Sequence, residues 1–156
     1  PLFSMEPISN CIVAFSLMPT EIAKKVDHKA PSIEKRINTI SELASMGWKI
    51  GLRFDPLIHG ENWKILYSNL FENVFKNIDK KVIHSITLGP LRFPKDMFKK
   101  IISMNPRSKL LSDTLVLRGN KISYSNGIEQ EMQSFCTGLL KDYSPDTLFF
   151  SCKGNF

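Results

Sequence analysis

Residues 48–55 run Trp-Lys-Ile-Gly-Leu-Arg-Phe-Asp, so that Trp48, Ile50, Leu52 and Phe54 alternate with Lys49, Gly51, Arg53 and Asp55. A repeat of two marks a strand with one apolar face. Helical patterns flank this strand on both sides in the chain. A parallel strand covered by helices on both faces reads as an unbroken apolar run, and this one does not. One face therefore meets helices, while the other must face something that hydrates or pairs Arg53 and Asp55.

The same alternation of elements continues along the chain. A short β-type run, 11–17, precedes a turn of helix from Thr20 to Val26. Pro31 and Ser32 open a helix with Ile33, Ile37, Ile40, Leu43 and Ala44 at helical spacing, and Gly47 stands where a C-terminal cap belongs. Pro56 is expected to end strand 48–55. The next helix, about 61–78, carries Trp63, Leu66, Leu70, Phe71, Val74 and Ile78 on one face. A third strand, 82–88, ends at Gly89-Pro90, and Pro94 starts a helix expected to turn Met97, Phe98, Ile101 and Ile102 inward. Such β-α-β-α-β-α order predicts parallel strands joined by right-handed crossovers, with helices 32–46 and 61–78 on one face.

The tail differs. Gly119-Asn120 between Leu115–Leu117 and Ile122–Tyr124 predicts a β-hairpin over about 114–124. A helix follows over about 127–143, expected to bury Ile128, Met132, Phe135, Leu139 and Leu140, and Ser144-Pro145 separates it from a final strand, 148–152. The expectation is one α/β domain spanning 1–156.

Polar residues collect on the second face of every strand. Ser85 and Thr87 lead to Gly89, and Ser16 stands two places beyond small Ala14. A parallel sheet curved into a barrel, or part of one, around a polar ligand accounts for both faces. Ligands of such folds sit at the carboxyl ends of the strands, where Ser16, Arg53, Asp55 and Gly89 fall. The plainer alternative pairs Arg53 with Asp55, whose Cα atoms on one strand face are about 7 Å apart, or with a helix dipole.

A net charge of +6 permits an anionic partner without naming one. No apolar run is long enough to span a bilayer and no secretory leader opens the chain. Cys11, Cys136 and Cys152 are far apart with no CxxC or CxxxC pair, which points to buried thiols in a reducing, cytoplasmic setting, with neither disulfides nor a zinc site. Pro1 stands where an initiator methionine would, and Met5 is a poor start, so a processed chain or a piece of a longer one is expected.

The segments "FSLMPTEIAKKVDHKAPSIEKRI", "GWKIGLRFDPLIHGENWKILY", "ITLGPLRFP" and "SKLL" follow one another as in the spore photoproduct lyase family of radical S-adenosylmethionine enzymes, which the chain resembles from about residue 8 to its end. The resemblance implies the C-terminal half of a partial (β/α)6 radical-SAM-type barrel with a terminal β-hairpin and helix. The family's first half carries a CxxxCxxC loop for a 4Fe–4S cluster, and that motif is absent here. The implied function is that of a fragment of a radical S-adenosylmethionine, iron–sulfur lyase that repairs a DNA photoproduct by hydrogen abstraction. The rival is a non-catalytic α/β module that binds a nucleotide or nucleic acid.

Residue by residue, the resemblance sets Ser16 at the family's strand-end serine near S-adenosylmethionine, with Met18 where an asparagine is usual. Asp55 matches the D-P of the next strand, facing cofactor or substrate, and Arg53 falls on a variable position. His28 and Arg36 match loop and helix-start positions, and Trp63 matches a core tryptophan. His59 matches a loop histidine of many relatives, although a lone loop histidine is commonly just solvated. In relatives the hairpin resembles G-K-x-R-Y-F-R-P-I-R. Here Ser123, Asn126 and Glu129 stand where arginines would, while Lys121 and Tyr124 remain, which weakens phosphate binding. Lys95, Lys99, Lys100, Arg107 and Lys109 form a second basic stretch that serves as well as a solvated helix face. The resemblance thus implies S-adenosylmethionine and the cluster in an intact parent, neither held tightly by this chain alone. It implies as partners DNA and a missing N-terminal half of the barrel, with no membrane.

Overall fold

The computed structural model describes residues 1–104, 114–144 and 148–151. After a single turn at Leu2–Ser4, the chain forms β1 (Ile12–Ser16), α1 (Thr20–Val26), α2 (Ile33–Ser45), β2 (Lys49–Leu57), α3 (Trp63–Asn77), a turn at Lys80–Val82 and β3 (Ile83–Pro90). It continues through β4 (Arg92–Pro94), α4 (Lys95–Met104), β5 (Leu115–Arg118), β6 (Lys121–Tyr124), α5 (Asn126–Tyr143) and β7 (Leu148–Ser151).

Local chemistry sets the boundaries. Ser32 caps α2 by accepting from the Lys35 N–H at 3.2 Å. Gly47, at φ 95°, turns the chain out of α2 in the left-handed region that suits glycine. The Arg36 guanidinium then ties three segments together: Nε donates to the Pro31 carbonyl, Nη1 to the Ser16 carbonyl at 2.9 Å, and Nη2 to Asp27. The end of β1 is thereby fastened to the start of α2.

β1, β2, β3 and β7 form one sheet in that order, all parallel. β4, β6 and β5 form a small antiparallel sheet. The connection from β3 to β7 therefore carries the whole small sheet before α5 packs back against β3 and α3. Ile50, Leu52 and Phe54 of β2 are fully buried with Ile33, Ile37, Ile40 and Leu43 of α2 and Tyr67, Phe71 and Val74 of α3. The Phe54 ring meets Phe71 edge-on, with centroids 4.9 Å apart. By the strand's alternation, Arg53 and Asp55 point away from these helices.

Two local expectations are corrected. Pro56 does not end β2. Phe54 pairs with Leu88 and Leu57 with Pro90, so three steps on β2 match two on β3. A bulge absorbs the proline, which has no N–H for a ladder bond. Nor does α4 turn Met97 and Ile102 inward, for they are 51% and 40% exposed. The helix rests on β4 and β6 rather than on the main sheet, and its Phe98 meets Phe93 at 5.8 Å. Arg107, Lys109, Pro145 and Cys152 lie outside the described residues. Among the described residues no helix is long and apolar enough to cross a membrane.

Candidate functional site

Register brings the polar faces together. Ser16, Arg53 and Thr87 lie side by side across β1, β2 and β3, and one pair earlier Ala14, Gly51 and Ser85 form a row of small residues. The Arg53 Nη1 donates to the Thr87 hydroxyl. Its guanidinium lies close to Gly51, since a Cβ built there would stand 3.4 Å from Arg53 Nη2. The glycine leaves room for the arginine to lie along its own strand. Ser16 is exposed, Arg53 is half-buried and Thr87 is buried.

Asp55 does not pair with Arg53. Its partner is Arg92, at the start of β4, whose Nη2 donates to Oδ2 at 2.9 Å and Nη1 to Oδ1 at 3.3 Å. Two parallel bonds of this kind fix a carboxylate in angle as well as position. Nη1 also donates to the Pro90 carbonyl at 3.0 Å. Gly89 lies against the pair. A Cβ there would stand 2.8 Å from both Arg92 Nη1 and Asp55 Oδ2. The space that a side chain at 89 would need is filled by the ion pair. Arg92 was missed as a site residue, although it lies inside the "LGPLRF" segment that carries the resemblance. An unassigned cation three residues beyond a strand-end glycine was the available signal.

The loop after β2 is held by two phenols. The Ile58 N–H donates to Tyr67 Oη at 2.8 Å and the His59 N–H to Tyr124 Oη at 3.0 Å. Tyr124 is fully buried at the end of β6, so the hairpin sheet and the His59 loop are joined through one hydroxyl. The His59 ring is half-buried, 5.8 Å from Trp63 and 6.0 Å from Tyr124 between centroids. Lys121 opens β6 opposite Pro94, away from the row of Ser16, Arg53 and Thr87 in the chain's pairing. In the first turn of α5, Glu129 accepts from Arg118 Nη1 of the hairpin at 2.6 Å and from the Ser123 hydroxyl. One cation of the hairpin is thus matched internally.

Burial pushes the Tyr124 phenol up to about 12, the Tyr67 phenol further still, and the Cys136 thiol up to about 12. Each favours its neutral form in the folded chain, so its contribution to stability is full at neutral pH. That contribution is lost as pH rises from the ordinary values of 9.0 for the thiol and 10.0 for the phenols toward 12. Urea denaturation should show stability falling across this window, by up to about 1.4 kcal/mol per pH unit for each group. Tyr124→Phe should remove one group's share of the slope. A variant with the parent's slope would show that Tyr124 is reached by water.

A 4Fe–4S cluster is held by cysteine thiolates. Cys136 is sealed in the core on α5, and half-buried Cys11 stands just before β1. Among the described residues no three His, Cys, Asp or Glu are grouped to hold a metal ion. The donors described here do not fit the cluster. The Ser16–Arg53–Thr87 row and the clamped Asp55 offer hydroxyl, cation and carboxylate groups instead, a set suited to a polar organic ligand.

Comparison with known proteins adds the family. The spore photoproduct lyase family model matches residues 2–146. The spore photoproduct lyase of Clostridium acetobutylicum is 25% identical over 112 residues, covering 72% of this chain and 33% of that protein. That of Bacillus subtilis is 29% identical over 102 residues, covering 64% and 30%. The chain thus spans about a third of the length of the curated relatives it matches. Among solved structures, a cysteine-to-alanine variant of spore photoproduct lyase with dinucleoside spore photoproduct aligns with a TM-score of 0.75 at 18% identity, covering 90% of this chain and 44% of that one. A second variant, with bound AdoMet and dinucleoside spore photoproduct, aligns at 0.71. The mixed α/β fold is therefore shared with those structures, and the chain belongs to the spore photoproduct lyase family.

Proposed function

We propose that the chain is the C-terminal half of a partial (β/α)6 barrel in a radical S-adenosylmethionine lyase that acts on a photoproduct of DNA. The observation that carries this is the in-register polar row of Ser16, Arg53 and Thr87 across three parallel strands, level with the carboxyl end of β1, in a fold shared with spore photoproduct lyase. β1 supports it further: it ends the described sheet, and Ile12, Ala14 and Ser16 are exposed along it. An edge of that kind is where further strands of a barrel would pair. The cluster, which supplies reductive cleavage of S-adenosylmethionine, belongs in this reading to the half that is not here.

This chain's residues have binding and orienting work. Asp55, held in angle by Arg92, can accept a hydrogen bond from a ribose hydroxyl. Ser16 presents a hydroxyl level with Arg53, as the family's strand-end serine does near the cofactor. His59 stands on the substrate side in the same reading, with buried Tyr124 acting through the His59 loop and Lys121 reaching substrate only from the hairpin, away from the polar row.

The test compares the chain with the longer polypeptide of its own reading frame. Alone, the chain should remain colourless after anaerobic reconstitution and bind S-adenosylmethionine weakly. The longer protein should hold about four irons and convert dinucleoside spore photoproduct to thymidine. A reading frame without the CxxxCxxC motif, or a cluster on the chain alone, would overturn the proposal.

A further inference from the structure

We infer that Arg53 is an oxyanion receptor on the polar face of the sheet, a specificity-determining residue with no assigned role. Its electrostatic position is unusual. Asp55, the carboxylate nearest in sequence on the same strand face, is held by Arg92. Among the described residues no carboxylate pairs with Arg53, and its hydrogen bond goes to the neutral Thr87 hydroxyl from Nη1. A half-buried guanidinium without a protein counter-charge is left to water or to an anion that reaches it.

The geometry supplies the rest of a receptor. Thr87 fixes one end of the planar group, and Gly51 lets it lie close to the strand. Nη1 is taken by Thr87 and Nη2 lies over Gly51, and a guanidinium in this position still has N–H groups with which to bind the oxygens of one oxyanion. Ser16, exposed in the next strand at the same level, adds a hydroxyl. Ala14, Gly51 and Ser85 form a row of small residues next to the guanidinium, with the Ile12 side chain at its edge, 3.3 Å from where a Cβ at Gly51 would stand.

The inference rests on the proposed function for the two oxyanions that ligands would bring: an internucleotide phosphate or the amino-acid carboxylate of S-adenosylmethionine. Two arms, both run on the longer polypeptide of the reading frame, separate them. In the first, fluorescence anisotropy follows a short thymidine oligonucleotide with phosphodiester linkages and its neutral methylphosphonate counterpart. In the second, equilibrium dialysis compares S-adenosylmethionine with its decarboxylated form.

Arg53→Gln should cut the preference for the charged ligand by roughly tenfold in one arm, the loss of a charge-assisted bidentate contact. Arg53→Lys should recover part of it, since an ammonium keeps the charge without the fork. Lys76→Gln in the exposed last turn of α3 reports loss of net charge alone and should change the preference far less. An oligonucleotide effect identifies the phosphate, and a dialysis effect identifies the carboxylate. If oligonucleotide fails to bind at all, the nucleic-acid reading falls and Arg53 is judged on the cofactor arm. Preferences in both arms that Arg53→Gln leaves intact, or absence of binding in both, overturn the inference. Melting temperature guards against a structural effect. Arg53→Gln should melt no lower than the parent, whereas a large drop with unchanged preferences would mark Arg53 as a folding residue.

Discussion

Phe54→Ala is expected to destabilise the chain by about 3–5 kcal/mol, the range for removing a large aromatic ring from a packed core. Phe54 is fully buried, and its ring meets Phe71 edge-on at 4.9 Å. Such a pair adds about 0.5–1.5 kcal/mol to the area it removes from water. Ile50 and Leu52 on β2 and Tyr67 and Val74 on α3 are held in regular elements, so the neighbours are poorly placed to collapse into the void. Against a typical total of about 5–15 kcal/mol for a domain, the variant should populate unfolded chain at 37 °C. Urea denaturation at neutral pH measures this directly, with Phe54→Leu as the milder comparison, expected to lose less than about 1.5 kcal/mol if the site repacks. A loss below 1 kcal/mol for the alanine variant would mean that the packing of β2 on α3 described here is wrong.

That strand was legible because its alternation was complete over four apolar and four polar positions. Apolar residues on one side of 48–55 could only face the helices, and β1, β2 and β3 then follow in order from the crossovers. The hairpin was legible for a similar local reason, since Gly119 takes φ 61° at its turn. What periodicity did not reveal was set by tertiary partners. A proline usually ends a strand, but a bulge opposite Leu88–Pro90 carries β2 past Pro56. The apolar stripe of α4 looked like a core face. That helix rests on β4 and β6 of the small sheet, and Met97 and Ile102 stay exposed.

The polar site was readable only in outline. Spacing put Ser16, Arg53, Asp55 and Gly89 at strand ends, and spacing within β2 also allowed an Arg53–Asp55 pair. The pair that forms instead joins Asp55 to Arg92, distant in sequence. Cross-strand register decides this. Arg53 is level with Thr87, while Asp55 reaches past Gly89 to the chain as it enters β4. Tyr67 was hidden for a different reason. It sits on the apolar face of α3 as an aromatic, and only the fold reveals that its hydroxyl accepts from Ile58.

Gly89→Ala is expected to cost about 1–3 kcal/mol as overpacking, and to cost nothing, or be slightly stabilising, when Asp55 is alanine. The added methyl would stand 2.8 Å from Asp55 Oδ2, 2.9 Å from its Cγ and 2.8 Å from Arg92 Nη1. Asp55 is short and cannot withdraw without giving up two bonds to Arg92, whereas Arg92 is long and can shift within its remaining contacts, the bond from Nη1 to the Pro90 carbonyl among them. In the Asp55→Ala background the carboxylate's share of the obstacle is removed. Glycine inside a strand is by itself unfavourable by roughly 0.5–1 kcal/mol. The carboxylate and guanidinium are 26% and 30% exposed, so solvent screens the pair and Asp55→Ala alone should lose no more than about 2 kcal/mol. Urea denaturation of the four proteins closes a double-mutant cycle with a coupling of about 1–3 kcal/mol. The two single variants also separate orientation from charge. Gly89→Ala keeps both charged groups and disturbs only their angle. If the clamp exists to aim Asp55 at a ligand, Gly89→Ala should weaken S-adenosylmethionine or oligonucleotide binding nearly as much as Asp55→Ala does. An additive cycle would mean that the methyl collides with something other than the ion pair. Coupled stability with unchanged binding in both single variants would make the Asp55–Arg92 clamp a fastening of β4 to the main sheet, with the ligand held elsewhere.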